Sequence, residues 1–570
     1  MLTTPLLTVW GMIPGWCRMI AAAAMLTASL PAVAQVIPPS ELPGRERQRF
    51  EQPVAPRAQP GGTPITLPST VAPPGAENIK VRLRGVRVEG ATVYRDDEFE
   101  AFFRDLVGRE VPLTAIYEIA QRITAHYGNA GYVLTRAIVP PQQLNPGGAV
   151  IRIQVIEGYV DNVEWPASLS GYRDFFSEYT AKIIANRPTN IKTIERYLLL
   201  AGDLPGLKFK NSLKPSPTRQ GAATLVVEVT HKPIDAIGRV DNRGSKARGP
   251  EQFFTSVTAN NIFRMHEAFT LAYASAFHPR ELQYFYGGYR QVLTSEGLTA
   301  FVNTSFSPSK PGLPVNPVLE YRTRDLITEA GLSYPFIRQR ERNLVFTALG
   351  FMSNDDSDIV AGPLFRDRIR GVRLKAEGDL ADELKGINQL NVVFSHGIEG
   401  LGSTENGNPL ASRPFGRVDF AKLEVTASRL QQLFANISLL VAAYGQYGFT
   451  PLLSPELCGY GGRVFGRAFD PSEMVGDSCF LQLAELRAEL PITNTYLTQA
   501  QLYTFIDHGR LYNHNIAQLS AASGGVDAAS VGGGIRLGWQ SYLTADLSLA
   551  KAIDGPRDDT RFFFILTGRY

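Results

Sequence analysis

From about Ile234 to Tyr570 the chain reads as a succession of amphipathic strands with no convincing helix, and nothing else in it limits the fold as strongly. In Tyr542 to Ala550, Leu543, Ala545, Leu547 and Leu549 alternate with Thr544, Asp546 and Ser548. Phe269, Leu271 and Tyr273 repeat the apolar stripe, as do Leu282, Tyr284 and Tyr286, and Ile437, Leu439 and Val441. Strands with one apolar and one polar face suit a membrane barrel with a wet lumen. Beyond the first 34 residues no segment is apolar and uncharged for long enough to span a bilayer as a helix. Residence in a membrane therefore requires strands, because only helices and closed barrels satisfy the backbone in lipid. The pattern divides into about sixteen segments, the even number expected of a closed bacterial barrel, at about 21 residues per strand and connection. A soluble β-sandwich would alternate similarly, but seldom through about 330 residues of uninterrupted strands.

The connections carry an independent signal. Short links such as Asn261 to Met265, Thr294 to Glu296, Pro335 to Glu341 and Thr493 to Thr495 alternate with long polar ones: Ser307 to Tyr321, Ser353 to Phe365, Leu401 to Phe415 and Tyr447 to Ser478. Outer-membrane barrels have short periplasmic turns and longer external loops. The first strand then begins, and the last (Arg561 to Tyr570) ends, in the periplasm. A mean hydropathy of −0.08 is far too polar for a helical membrane protein. A formal net charge of +3 over 570 residues, with no basic block, gives no reason to expect a nucleic-acid partner.

Ahead of this region the pattern differs. Residues 1–34 read as a signal peptide: Arg18 precedes the uncharged run Met19 to Ala34, which ends in Ala32-Val33-Ala34. Residues 35–79 hold ten prolines and a single aromatic, Phe50, too little apolar surface to fold alone. Their one helix-compatible island is 40–52 (Ser40 to Gln52), bounded by Pro39 and Pro53; a solvated tail is the alternative reading. Residues 80–157 then show the order strand, helix, helix, strand, strand, with Phe99, Phe102, Phe103 and Leu106 at helical spacing and a second helix over Leu113 to Tyr127. Residues 158–232 repeat it, from Tyr159 to Trp165 through helices at Phe175 to Ala185 and Ile191 to Ala201 to strands at Leu207 to Leu213 and Ala222 to Val229. Two copies of one small α+β module is the economical reading, followed by a barrel over 233–570.

Few side-chain sets suggest chemistry. With Cys17 in the signal peptide, Cys458 and Cys479 remain; in an exported chain they read as a disulfide closing one loop, two unpaired thiols being the alternative. Asn354, Asp355, Asp356 and Asp358 lack the loop-closing Gly and distal Glu of a calcium loop and read as a solvated loop. His266, His278, His396, His508 and His514 fall in no metal or triad pattern, and there is no Walker A sequence, so neither a metal, a cofactor nor an enzymatic activity is expected. Arg243, Lys246 and Arg248 read as an ordinary exposed loop or a contact for lipopolysaccharide phosphates.

Three stretches carry a resemblance. YGNAGYVLTRAIVPPQQLNPGGAVIRIQVIEGYVDNV (127–163) looks like the end of a first POTRA domain, and LSYPFIRQRERNL (332–344) like part of a secretion barrel. Two short motifs complete it: Gly466-Arg467-Ala468-Phe469, where the superfamily pattern is (V/I)RG(Y/F) at the tip of the sixth external loop, and an intact FxDxG at Phe505, Asp507 and Gly509. The chain thus resembles the two-partner secretion transporters (TpsB type, the haemolysin secretion and activation proteins), within the superfamily that includes the barrel-assembly proteins. The resemblance implies an all-β transmembrane barrel of about 16 antiparallel strands behind two α+β POTRA domains. It implies residence in the outer membrane among lipid and lipopolysaccharide, with the POTRA domains in the periplasm. The partner would be a TpsA-type exoprotein, the sixth loop (447–479) would fold inward, and 40–52 would plug the pore. A loop folded into a lumen must be tied to the wall, and an Arg fork on a carboxylate is a directional tie. The expected pair is Arg467 with Asp507, flanked by Phe469 and Phe505, with Gly509 allowing close approach; breaking a buried pair of this kind costs about 3–5 kcal/mol. An insertase of the same superfamily, and a passive porin or surface receptor, are the competing functions.

Overall fold

A computed structural model describes residues 37–42, 44, 46–50, 56–59, 72–145, 147–312, 319–514 and 525–570. The signal peptide expected over 1–34 lies outside them. Sixteen strands, from Ile234–Asp241 to Thr560–Arg569, form one closed antiparallel barrel. The last strand closes on the first from Asp241↔Ile565 to Ile237↔Arg569. Alternation places the side chains of the last hairpin as the sequence implies, with Leu547 and Leu549 exposed on the outer face and Ser548 between them buried, whereas the stripe Leu282, Tyr284 and Tyr286 faces inward and packs around Phe50. The three strands Arg322–Arg338, Arg342–Ile359 and Gly362–Ala381 are the longest of the wall, at 17, 18 and 20 residues. At about 3.4 Å per residue they far exceed an apolar band about 25 Å tall, so their outer ends stand clear of the membrane.

One expectation is corrected here. The polar run Ser353 to Phe365 is no loop: Asn354, Asp355, Asp356 and Asp358 lie on the strand Arg342–Ile359, which returns through a tight turn at 360–361. An outer face above the lipid has no need of an apolar stripe, so the sequence loses its strand signature there.

The two modules precede the barrel. In the first, the helix Leu113–Asn129 packs Ile116, Ile119, Ala120, Ile123 and Tyr127 against a sheet ordered Glu110–Pro112, Lys80–Glu89, Ala149–Ile156, Arg136–Ile138. The region around Phe99 is one short turn of α-helix, Asp96–Phe99, followed by 3-10 turns, rather than a continuous helix. In the second, helices Phe176–Ala185 and Ile191–Gly202 cover the sheet Tyr159–Glu164, Ala222–His231, Leu207–Pro215. Both Arg136–Ile138 and Leu207–Pro215 are edge strands.

Candidate functional site

The link between the eleventh wall strand, Ile437–Gly448, and the twelfth, Ser478–Glu489, folds back inside the barrel as a hairpin of Cys458–Tyr460 on Met474–Gly476. A disulfide joins Cys458 in the hairpin to Cys479 in the wall. The thirteenth strand, Leu497–Tyr512, faces the hairpin and carries Phe505, Asp507 and Gly509 in one inward register. Asp507 is buried and receives four donors: Tyr460 Oη (2.7 Å), Ser530 Oγ (2.7 Å), Gly466 N (3.0 Å) and Arg467 N (3.3 Å). The tip turns at Gly466, φ 71°, a left-handed conformation that disfavours any other residue. Gly509 leaves room for the Tyr460 ring, which any Cβ there would strike. Ala468 and Phe469 are fully packed, and Arg561 Nη1 donates to the Ala468 carbonyl (3.2 Å).

The guanidinium of Arg467 goes elsewhere than expected. It pairs with Glu485 on the twelfth strand, not with Asp507, and lies 4.4 Å over the Phe505 ring. The reason is stoichiometric: Asp507 is consumed by the main chain of the tip and two hydroxyls, while the longer fork reaches past Phe505, whose register partner is Glu485. Glu485 also takes Arg487 (2.7 Å) and Arg536 (2.8 Å), so one buried carboxylate gathers three cations. Arg536 extends the set to Asp546 (3.1 Å). Nearer the loop's start, Glu456 bonds Arg373 (2.7 Å) and Lys422 (2.9 Å) of the wall.

The N-terminal segment occupies the same lumen. Instead of one helix over 40–52 it forms a 3-10 turn, Pro39–Glu41, and a single helical stretch, Glu46–Phe50; residues 51–55 lie outside those described. Glu41 and Glu46 both pair with Arg248, which is 0% exposed, and Arg248 Nη2 also donates to the Glu41 carbonyl (2.7 Å). Phe50 packs against Phe254 and Tyr284 of the wall, with ring centroids 6.2 and 5.1 Å away. Gly44, φ 83°, lies where any side chain would strike Pro455 of the sixth loop and Asp355 of the wall. Arg243 is buried as well, donating to the Arg467 carbonyl (2.7 Å) and lying 3.7 Å over Phe563. Arg243 and Arg248 are thus interior braces and not the exposed or lipopolysaccharide-facing loop that the sequence suggests; of the three, only Lys246 is exposed. Loops fold inward when their charges find partners on the wall, and that pairing is invisible in composition.

At the periplasmic rim the second module docks on the barrel. Arg338, within the 332–344 stretch, holds Asp203 with both nitrogens (2.7 and 2.8 Å), and its third bonds Asn343 (2.9 Å). Asn343 donates to Asp379 (2.8 Å), which in turn receives the main-chain N–H of Ala58 (2.7 Å) and of Arg57 (3.3 Å). A chain of contacts therefore runs from the module to Arg57 and Ala58 of the N-terminal segment. Arg196 and Tyr197 add bonds to Glu296 on a periplasmic turn (2.9 and 3.0 Å). Between the modules, Glu157 accepts from Thr92 N (2.7 Å), the Thr92 hydroxyl, Val93 N (3.1 Å) and Tyr127 Oη (2.8 Å). Burial pushes its carboxyl up, but these donors outweigh burial and leave it below the usual range.

A closed sixteen-stranded barrel with a lumenal sixth loop, preceded by POTRA-type modules, is the architecture of an outer-membrane protein with periplasmic domains. Two family models match: the POTRA domain of ShlB type over residues 81–158, and the haemolysin secretion/activation protein family ShlB/FhaC/HecB over 378–537. The matched regions are those of a two-partner secretion-type outer-membrane transporter. It is similar to the outer membrane transporter CdiB of Dickeya dadantii, 22% identical over 77% of this chain and 78% of that one. It is also similar to the heme/hemopexin transporter protein HuxB of Haemophilus influenzae, 25% identical over 29% of each chain. The fold matches CdiB from Escherichia coli (TM-score 0.67, 18% identity, 99% of this chain and 100% of that) and from Acinetobacter baumannii (0.57, 14%, 98% and 100%).

Proposed function

We propose that the chain recognises a TpsA-type exoprotein in the periplasm through its two modules and passes it through the barrel to the cell surface without nucleotide. The observation that carries this reading is the filling of the lumen. The described residues between 37 and 50 share it with the sixth loop yet do not belong to the closed hydrogen-bonded wall, so that segment can leave without opening the barrel. In the proposed cycle the unfolded substrate adds to an exposed edge, Arg136–Ile138 or Leu207–Pro215, as an extra strand. Its docking pulls on the second module and, through Asp203, Arg338, Asn343 and Asp379, on the chain at Arg57 and Ala58. The plug leaves, and Arg467 keeps the sixth loop tied to Glu485 while the substrate passes. Substrate binding and its folding outside supply the driving free energy; neither lipid, lipopolysaccharide nor nucleic acid takes part in that step. Deleting the chain should abolish surface release of one large exoprotein while other barrels still assemble. Loss of bulk barrel assembly would instead support an insertase.

A further inference from the structure

The outer ends of the three longest strands carry a feature that export does not use. On their outward side stand Arg322 and Arg324, then Asp356 and Asp358, then Arg366, Arg368 and Arg370. Their neighbours Thr323, Asp355, Asp367 and Ile369 are buried on the inner side, which fixes the parity. In register, Asp356 lies between Arg324 and Arg366, and Met352 sits beside Arg370. Five arginines thus face two aspartates on one exposed sheet. The aspartates are spent on their neighbours: Arg366 meets Asp356 (3.3 Å) and Asp358, and Arg368 meets Asp356 (2.7 Å). Arg322 is held by Glu320 (2.6 Å). The Arg324 side chain has no ion pair or hydrogen bond among the described residues, and that of Arg370 only the carbonyls of Ser353 (3.1 Å) and Ile369 (2.8 Å). Immediately below, the outward side turns apolar at Met352, Val372, Leu374 and Phe394, all exposed. Uncompensated cations directly above a lipid-facing apolar belt sit at the level of headgroups.

We propose that this face, centred on Arg324 and Arg370, binds a phosphate-bearing glycolipid of the outer leaflet, of the lipopolysaccharide type. Its phosphates meet the guanidiniums and its acyl chains lie on Met352, Val372 and Leu374. Charge complementarity selects this occupant: the site offers fixed forks to phosphate oxygens, and the belt beneath requires a ligand with hydrocarbon tails. The proposal does not depend on the export reading. The test places the full chain in nanodiscs of phosphatidylcholine and titrates in lipopolysaccharide, before and after its enzymatic dephosphorylation. The intact lipid should bind in a salt-sensitive manner and the dephosphorylated one at least tenfold more weakly. Because each surface arginine contributes about fivefold, the double variant Arg324→Gln with Arg370→Gln should bind about 25-fold more weakly, with unchanged heat-modifiable gel migration. Arg510→Gln, an exposed arginine elsewhere on the wall, should bind as the wild type does. Equal binding of the two lipids, or an equal loss in the Arg510 variant, overturns the proposal without touching export. The lipid and salt comparisons need no variant and decide the matter even if the double variant misassembles.

Discussion

Consider replacing the two ends of the Arg467–Glu485 pair separately. In an isolated buried pair, losing either partner strands the other and costs about 3–5 kcal/mol. Glu485, however, keeps Arg487 at 2.7 Å and Arg536 at 2.8 Å when Arg467 becomes Ala. The carboxylate is then still neutralised, and the loss reduces to one charged hydrogen bond and the packing over Phe505, about 1.5–3 kcal/mol. Glu485→Gln does the opposite: it leaves three guanidiniums converging on a neutral amide, and about 3–5 kcal/mol is expected. The midpoint of urea unfolding in lipid, followed by the folded-to-unfolded gel shift, should fall further for Glu485→Gln than for Arg467→Ala. Combining them should cost less than the sum, because removing Arg467 relieves one of the stranded cations. If Arg467→Ala costs as much as Glu485→Gln, or if the two are additive, the shared-carboxylate argument fails.

Other outcomes follow from the same contacts. Asp507→Ala leaves the Gly466 and Arg467 N–H groups buried without acceptors, so about 2–6 kcal/mol should be lost and the loop tip should become protease-sensitive. Gly509→Ala should loosen the tip in the same assay, since its methyl group displaces Tyr460. Removing residues 37–50, or replacing Arg248 with Ala and so stranding Glu41 and Glu46, should raise conductance in planar bilayers; unchanged conductance would refute a plug. Arg338→Ala should free the second module from the rim, seen as faster hydrogen exchange around Asp203 without loss of the barrel. Glu157 is held below its ordinary value of 4.5, so the stability it lends the first module is complete above that pH and lost as pH falls through its lower folded value. Hydrogen exchange at Thr92 and Val93 should accelerate only on that acidification, and Glu157→Gln should remove the dependence.

What the sequence revealed and what it hid divide along one line. Phe505, Asp507 and Gly509 are legible because they share one register of one strand, and the sixteen-strand barrel because outer-face alternation must hold wherever lipid touches it. Glu485 is not legible in this way, although it is the lone buried carboxylate of LQLAELRAEL. Its place opposite Phe505 depends on cross-strand register, which a single chain does not state. Arg338 lies inside the stretch 332–344, but its partner Asp203 is 135 residues away. The helix of the N-terminal segment begins later than Ser40, since the described residues before Glu46 form only the 3-10 turn Pro39–Glu41, as prolines at the start of a helix-compatible run favour. The inward positions of Arg243 and Arg248 are hidden in the sequence because a loop's inward fold is decided by partners, here Glu41, Glu46 and the Arg467 carbonyl, scattered across the chain.

The claim that the substrate travels inside this barrel is tested most directly on two adjacent residues of one wall strand. Thr347 is buried on the lumenal side and Phe346 is exposed to lipid. With a photo-crosslinking side chain at each position, and the exoprotein arrested during export, the account predicts a covalent adduct from position 347 and none from 346. Adducts from 346 alone, or equally from both, would contradict passage through the lumen.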